Sequence, residues 1–516
     1  MHPQRWGDPA EAEALPATVR GLVDTFVGTR DTPAADEVSL PEPGLSEELL
    51  GSLRTALGDD AVLTDDEARR LRTRGKSTPD LLRARSGDLS DAPDVVVRPG
   101  SHEDVAAVLA WAVEHHVAVV PFGGGTCVTG GLAARRDGFA GLVSLDLVRL
   151  DQLLSFDEVS MTAVLQPGMR GPAAEEALGR HGLTLGHFPQ SFEFASIGGF
   201  AATRSSGQSS AGFGRFDDMV VGLRVATPAG DLVLGSSPAN AAGPDLREVV
   251  LGSEGTLGVI TEVTVRVRPV AAEKVYDAWS FPTFAEGADA MRRLAQSRVL
   301  PTVLRLSDEA ETMVNLASQS DIGGEGLTGC LMIVGHEGAD VAPRRAEVAS
   351  VLTSLGGTDL GEERGTAWAR GRFHAPYLRD SMLDAGVLVE TLETATFWSN
   401  RERVYKAVKQ ALETSLGEGT LVLCHISHVY ETGCSLYFTV ATKQGDDPLA
   451  QWLAAKAAAS DAMIESGATI THHHAVGTDH KPWLAREIGP VGVAMLRGLK
   501  DAVDPAGVLN PGVLIP

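Results

Sequence analysis

A chain of 516 residues with 43% hydrophobic and 22% charged side chains has the balance of a folded protein of about two to four domains, not of a disordered or fibrous one. Its formal charge of −24 argues against non-specific binding to nucleic acid or to anionic membrane surfaces. Any anionic substrate must therefore be met by a local cluster of positive groups. The four cysteines include no CxxC pair and are too few for a disulfide framework, so a reducing cytoplasm is the expected compartment. The opening MHPQRWGDPAEAEALP carries no apolar core of a secretory signal, and VLNPGVLIP at the other end carries no lipidation signal. No apolar run reaches the roughly 18 residues that a membrane-crossing helix needs.

In chain order, the first forty-odd residues are rich in Pro, Asp and Glu and contain the helix-like ATVRGLVDTF, so they read as an appended arm. DVVVRP is then a β-branched strand. SHEDVAAVLAWAVEHH starts a helix with Ser101 as N-cap and Asp104 three residues on. VAVVPF is a second buried strand running into GGGTCVTGGL, and strand, helix, strand, Gly loop is an α/β opening. Further on, VVGLRVATPAGDLVL reads as two strands around a Pro-Ala-Gly-Asp turn. Val263, Val265 and Val267 alternate with polar residues as a half-buried strand that stops at Pro269. From about residue 271 to 460, helix-like runs (FAEGADAMRRLAQ, RERVYKAVKQALET) alternate with short strands (LVLCHIS, CSLYFTVA), an α+β pattern. A last helix-like stretch, DPLAQWLAAKAAASDAMIESG, precedes THHHAVG and a closing helix.

The glycine loop GGGTCVTGG fits neither common nucleotide fingerprint. Gly123 and Gly125 suit G-x-G-x-x-G, but Val128 takes the third place; Gly125 to Gly130 has P-loop spacing, but Gly131 and Leu132 follow instead of Lys and Ser or Thr. What remains is a loop of bare backbone N–H groups, suited to a pyrophosphate, or a plain turn. Three further stretches, PQSFEFASIGG, ATRSSG and SEGTLGVITE, share its small residues, hydroxyls and amides.

His472, His473 and His474 stand in a row. A metal is one reading, but on a strand His472 and His474 face one way and His473 the other, which makes no tetrahedral site, and the cysteines lack metal-ligand spacing. A solvated surface triplet is a second reading, and proton handling by imidazoles that titrate near neutrality is the favoured one. Tyr437, in CSLYFTV, is either core or a catalytic phenol; the phenol would need neighbouring positive charge to act as a base. Arg305, between apolar neighbours in VLRLSD, needs a buried carboxylate or a substrate anion. Lys481 and Arg379 are secondary phosphate candidates, set against simple solvation.

The order PFGGGT, PQSFEFASIGG, TRSSG, GSEGTLGVIT resembles the flavin-binding half of vanillyl-alcohol-oxidase-type (PCMH-type) flavoproteins. RGKSTPDLLRARSGDLSDAPDVVVRP, GHFPQSFEF, PTVLRLSD, FHAPYLRD, TLETATFW and THHHAVG, with RWGDP near the start, extend the likeness to the alkyldihydroxyacetonephosphate synthase family over nearly the whole chain. The resemblance implies an α+β fold: an arm over 1–90, a two-subdomain PCMH-type FAD-binding domain over 91–270, an α+β substrate (cap) domain over 271–460, and a segment over 461–516 that completes the active site. FAD would be held by Pro121, Gly123, Gly124, Gly125, Thr126, Cys127 and Val128; by Gln190, Ser191, Glu193, Phe194, Ser196, Gly198 and Gly199; by Thr203, Arg204 and Ser206; and by Glu254, Gly255, Thr256, Gly258, Val259 and Ile260. Gln190 departs from the family pattern, which carries Asp there, though its amide could still bond to the flavin. Thr126 and Cys127 stand where some relatives carry a tethering His, so the FAD is expected to be non-covalent.

By the same resemblance Tyr437, His472, His473, His474, Arg305 and His187 are active-site residues; on the ligand spacing above, no metal is expected. The implied reaction exchanges the acyl group of acyl-dihydroxyacetone phosphate for a long-chain alcohol through a flavin N5 adduct, with Tyr437 removing the proton and Arg305 steadying the departing carboxylate. The other readings are an FAD-linked oxidase or dehydrogenase of a 2-hydroxy acid or alcohol, and a non-catalytic flavin-binding protein. A lipid or other small-molecule substrate, peripheral membrane contact, a homodimer and no nucleic acid complete the expectations.

Overall fold

A computed structural model describes residues 1–8, 10, 14–133, 135–314 and 327–516. Two smaller sheets, with a two-stranded ribbon of Leu183–Thr184 and Arg268–Pro269, build the first half. One runs Val62–Leu63, Val95–Val97, Leu142–Asp146, Ala118–Phe122, with the last three strands parallel, as the strand–helix–strand reading of DVVVRP to VAVVPF requires. The intervening helix, His102–His115, is capped as expected by the Ser101 Oγ accepting from Asp104 N at 3.1 Å; the Asp104 carboxylate turns back to Gly100 N at 2.8 Å. Val95, Val97, Val119 and Val143 of these strands form one apolar core with Val105 and Val108 of the helix and Leu509 of the C-terminal tail.

The second sheet is antiparallel, in the order Leu153–Asp157, Thr162–Leu165, Val259–Arg266, Val220–Thr227, Gly230–Leu234. Val263 and Val265 point into its core, matching the alternation in the sequence, while Gly230 and Asp231 belong to the returning strand, so the turn is shorter than four residues.

The second half is a seven-stranded antiparallel sheet: Thr358–Gly361, Glu273–Phe281, Cys330–Gly338, Val303–Ser307, Leu421–Ile426, Gly433–Lys443, Val387–Phe397. One face carries Val422, Cys424, Leu436, Phe438, Val440 and Leu392 into a core closed by the helices Phe284–Gln296, Arg401–Leu416 and Pro448–Glu465. Because side chains alternate along a strand, Leu421, Leu423, His425, Tyr437, Thr439 and Ala441 take the opposite face, and all six line a cavity.

The N-terminal arm packs into this architecture. Trp6 is buried edge-on against Phe194, and its backbone N–H donates to the Asp380 carboxylate; Pro9 of the same RWGDP segment lies outside the described residues. The buried Lys76 ammonium donates to the His2 and Pro3 carbonyls. The helix Ala17–Phe26 buries Val19 and Val23 against Met382 and Val387.

Candidate active site

The cavity lies between the glycine loops of the first half and the free face of the seven-stranded sheet. A third wall is apolar: Val19, Val23 and Phe26 of the N-terminal helix meet Leu378, Met382 and Val389. Composition gave no hint of such a lining, because its residues are scattered over the chain.

Of the residues assigned to flavin, Pro121, Gly123, Gly124, Gly125, Thr126, Cys127 and Val128 line the cavity, as do Gln190, Ser191, Ser196, Gly198, Gly199, Thr203 and Ser206, and Glu254, Gly255, Gly258, Val259 and Ile260. The loops interlock: a Cβ on Gly124 would lie 2.3 Å from the Phe194 carbonyl oxygen, and one on Gly123 2.3 Å from the Ser196 Oγ. Gly125 and Gly255 hold φ of 68° and 73°, conformations that suit glycine. The Ser206 hydroxyl and the Gln208 side-chain amide oxygen are buried at this wall without a partner among the described residues, and a bound polar group would satisfy both. The donors and the bare backbone thus fit FAD.

Four assigned residues do not face the cavity. Glu193 is exposed; Phe194 packs on Trp6; the Arg204 guanidinium turns away to the Leu251 carbonyl and Glu248; and the Thr256 hydroxyl folds back to the Ser253 carbonyl. The Gln190 amide is also spent elsewhere, donating to the Arg372 carbonyl at 2.8 Å. Burial pushes the Glu254 carboxyl up to about 7, and this group anchors the C-terminal segment by accepting from Val476 and Gly477 N–H.

On the sheet wall, register sets the chemistry. Tyr437 pairs with His425 on one neighbour and Glu393 on the other, so the three side chains share a face. Arg305 shares it too, since Ser307, two residues on, pairs with His425. Its guanidinium is ion-paired with buried Glu311 and contacts His425 at 3.1 Å. Burial works against the Glu311 charge, but Arg305 and His425 hold the carboxyl down to about 2. The Tyr437 ring stacks on His425, with centroids 4.7 Å apart. Burial pushes its phenol up to about 12, with Glu390 and Glu393 adding to the shift. The expectation that adjoining imidazoles would lower this phenol is therefore corrected: they are neutral, and burial with Glu390 and Glu393 outweighs the opposing Arg379 charge.

The histidine triplet lies on a bend, not on a strand. Glu393 is the cause. Its buried carboxylate accepts from the N–H groups of His472 (2.7 Å), His473 (3.1 Å) and His474 (3.0 Å) and from the Thr471 hydroxyl (2.6 Å). An extended chain points successive N–H groups to opposite sides and could not aim three at one anion. Burial opposes the charge, but the triplet and Thr471 hold the Glu393 carboxyl well below the usual range. His473 and His474 line the cavity. His472 stands behind them, bonded to the Tyr430 hydroxyl and, Nδ1 to Nδ1 at 2.9 Å, to His473. His187 is also one layer back, bonded to the Ser205 hydroxyl at 3.1 Å and packed between Phe200 and Phe216. Burial lowers all four imidazoles, His187 and His474 to about 3.

The ring nitrogens of His428, His472 and His473 come within 4.8 Å of one another, as a metal site needs. The 2.9 Å between His472 and His473 is shorter than the roughly 3.3 Å that two nitrogens keep on a tetrahedral ion with bonds of about 2.0–2.1 Å. A shared proton fits that pair better. Arg379 lines the cavity and donates to the Lys76 carbonyl, whereas Lys481 donates to the Gly512 carbonyl away from it. Sequence reading missed Glu393, Glu311, His425 and His428. For Glu393 and His425 the signal available was an ionisable residue within a buried strand, whereas Glu311 sits on a short helix and His428 in a loop, where no such pattern marks them.

Residues 93–235 match the FAD binding domain family, and residues 270–514 match FAD linked oxidases, C-terminal domain. In sequence the chain is 34% identical to the alkyldihydroxyacetonephosphate synthase of Dictyostelium discoideum, covering 97% of this chain and 86% of that one. It is 33% identical to the protein of the same name from Trypanosoma brucei brucei, over 92% and 82%. A solved alkyldihydroxyacetonephosphate synthase superposes with a TM-score of 0.83 at 30% identity, over 98% of both chains. p-Cresol methylhydroxylase shares the fold, with a TM-score of 0.70 at 16% identity over 91% and 98%.

Proposed function

Since the chain belongs to the alkyldihydroxyacetonephosphate synthase family and is an FAD-dependent enzyme, we propose that it exchanges the acyl chain of acyl-dihydroxyacetone phosphate for a long-chain alcohol. A fatty acid leaves and an ether bond forms, the step that commits a lipid to the ether class. One observation carries this reading: Arg305, Tyr437, His473 and His474 open on the same cavity as the flavin loops. In it, residues 91–270 hold the flavin, 271–460 shape the substrate side, and 1–90 and 461–516 close the site.

FAD, held by the loops at 121–128, 190–206 and 254–260 and expected without a covalent tether, would supply an electron sink for the carbon that changes partners. The chain's own groups handle protons, charge and water. A proton must leave the carbon bearing the ester, and the neutral imidazole of His473 can take it. The Glu393 carboxylate, 3.6 Å from the His473 Nδ1, stabilises the imidazolium that results. Tyr437 stays protonated near neutral pH and passes or donates a proton instead of acting as a phenolate. Arg305, held by Glu311, faces the departing carboxylate. The alcohol's proton leaves with the fatty acid and the His473 imidazolium returns its proton to the carbon, so no electrons are gained or lost overall. The apolar wall gives both alkyl chains a dry path.

No helix among the described residues is long and apolar enough to cross a membrane. Cytoplasmic residence, peripheral membrane contact and a homodimer are part of the proposal; four free cysteines favour the first. The test is to incubate the holoenzyme with acyl-labelled acyl-dihydroxyacetone phosphate and hexadecanol, with no electron acceptor. Ether product and labelled fatty acid in equal amounts support the reading. Turnover of a 2-hydroxy acid with an acceptor, and none of the lipid, replaces it with the oxidoreductase alternative; no reaction with either leaves a non-catalytic flavin protein.

A further inference from the structure

Three arginines line the cavity, and two of them are committed. Arg305 is paired with Glu311, and Arg379 donates to the Lys76 carbonyl at 2.8 Å with Glu390 at 4.0 Å. Arg372 forms no ion pair among the described residues, and its Nε and Nη1 are buried without a partner. Among the described residues its side chain bonds to the Tyr276 hydroxyl, which itself donates to Glu337 at 2.7 Å. In a chain of charge −24, a half-buried cation with spare donors and no carboxylate beside it is poised for an outside anion.

The surroundings are built to hold this guanidinium in place. Its Cζ lies 5.0 Å from the Phe373 ring centroid, 5.2 Å from Phe188 and 5.8 Å from Trp368, a setting that favours a cation and keeps water away. Its backbone carbonyl accepts from the side-chain amides of Gln190 at 2.8 Å and Gln208 at 3.1 Å. The two glutamine amides thereby fix the Arg372 backbone at the cavity. The residue stands at the break before the ten-residue helix Ala375–Asp384. The first turn of that helix, Ala375 and Pro376, also lines the cavity and has no side-chain cap; the Tyr377 N–H is used on the His374 carbonyl at 3.1 Å, so the turn contributes the positive end of its dipole more than free donors.

We propose that Arg372, with the first turn of the Ala375–Asp384 helix, is the subsite that holds the phosphomonoester end of the substrate. A guanidinium fork matches two phosphate oxygens in one plane, which an ammonium cannot do. The proposal rests on the acyl-dihydroxyacetone phosphate reading of this site and names the group that anchors its polar end.

The test uses holoenzyme and the shift of the bound flavin spectrum on titration with inorganic phosphate, dihydroxyacetone phosphate and dihydroxyacetone. Arg372→Gln should weaken dihydroxyacetone phosphate by about 10- to 150-fold, the range for losing hydrogen bonds to a charged group, and leave dihydroxyacetone unchanged. Arg372→Lys, which keeps the charge and loses the fork, should fall between. In turnover the KM for the phosphorylated substrate should rise far more than kcat falls. Wild-type holoenzyme that binds dihydroxyacetone phosphate no better than dihydroxyacetone would overturn the subsite. So would a Gln or Lys variant that retains FAD and wild-type phosphate affinity. Should the phosphate probes bind through Arg372 while acyl-dihydroxyacetone phosphate and alcohol give no ether, the subsite stands and the proposed reaction falls.

Discussion

Replacing Glu393 by alanine removes the anion around which the histidine loop is wound. Four donors lose their acceptor at once: the N–H groups of His472, His473 and His474 and the Thr471 hydroxyl. Each hydrogen bond to a charged group is worth about 1.5–3 kcal/mol, and a stranded buried donor costs about 1–3 kcal/mol. The four bonds share one carboxylate that was itself costly to bury, so the net loss should be about 3–5 kcal/mol, the range for breaking a buried charged contact. Glu393→Gln keeps the shape, but its NH2 group meets N–H donors, so it should lose roughly half as much. Catalysis should suffer more than stability, because His473 and His474 are aimed into the cavity by those bonds; a displacement of about 1 Å can cost around 100-fold. Thermal melting of the holoprotein and anaerobic stopped-flow reading of flavin bleaching by substrate measure the two effects. Alanine and glutamine variants that melt within a degree of wild type and bleach at its rate would refute the reasoning.

Gly124→Ala should lower the FAD content of purified protein, read from the ratio of flavin to protein absorbance, because the added Cβ would lie 2.3 Å from the unyielding Phe194 carbonyl. Tyr437→Phe should retain FAD and fold but turn over at least about 100-fold more slowly, in keeping with loss of a proton-handling group; unchanged turnover would make this ring mere packing. Stability should also fall in acid. His187 and His474 titrate at about 3 in the fold, against about 6.5 when exposed, so the unfolded chain takes up protons first. Their contribution is complete above pH 6.5 and is lost as pH falls towards 3, at about 1.4 kcal/mol per pH unit for each group. Denaturant titrations from pH 8 to pH 4 should show this slope, and His187→Phe, if it packs, should flatten it.

Much of this was legible in the sequence because periodicity and glycine chemistry are local. Ser101 and the alternating valines at 263 and 265 announced their elements, and the loops at 121–128 and 254–260 announced a backbone-lined cofactor wall. The neighbours in space were less legible. Glu393 lies 80 positions from the histidines it organises, and only strand register sets it beside Tyr437. Reading the triplet as a strand failed for the same reason: the anion that bends it is distant in sequence. The environment of Tyr437 was misjudged because histidines count as positive only when hydrated enough to hold a proton, and these are buried. Glu193, Phe194, Arg204 and Thr256 fell inside motif spans whose alternate side chains point away from the cavity. The apolar wall needed a helix near residue 20 to meet residues near 380, which no window of sequence displays.

The central claim is that the flavin assists an exchange with no net redox change, and the absorption spectrum of the holoenzyme under anaerobic conditions tests it most directly. Added acyl-dihydroxyacetone phosphate should bleach the oxidised flavin band, and a long-chain alcohol should restore it with no electron acceptor present. A band untouched by that substrate, yet bleached by a 2-hydroxy acid or simple alcohol until an acceptor is supplied, would contradict the account.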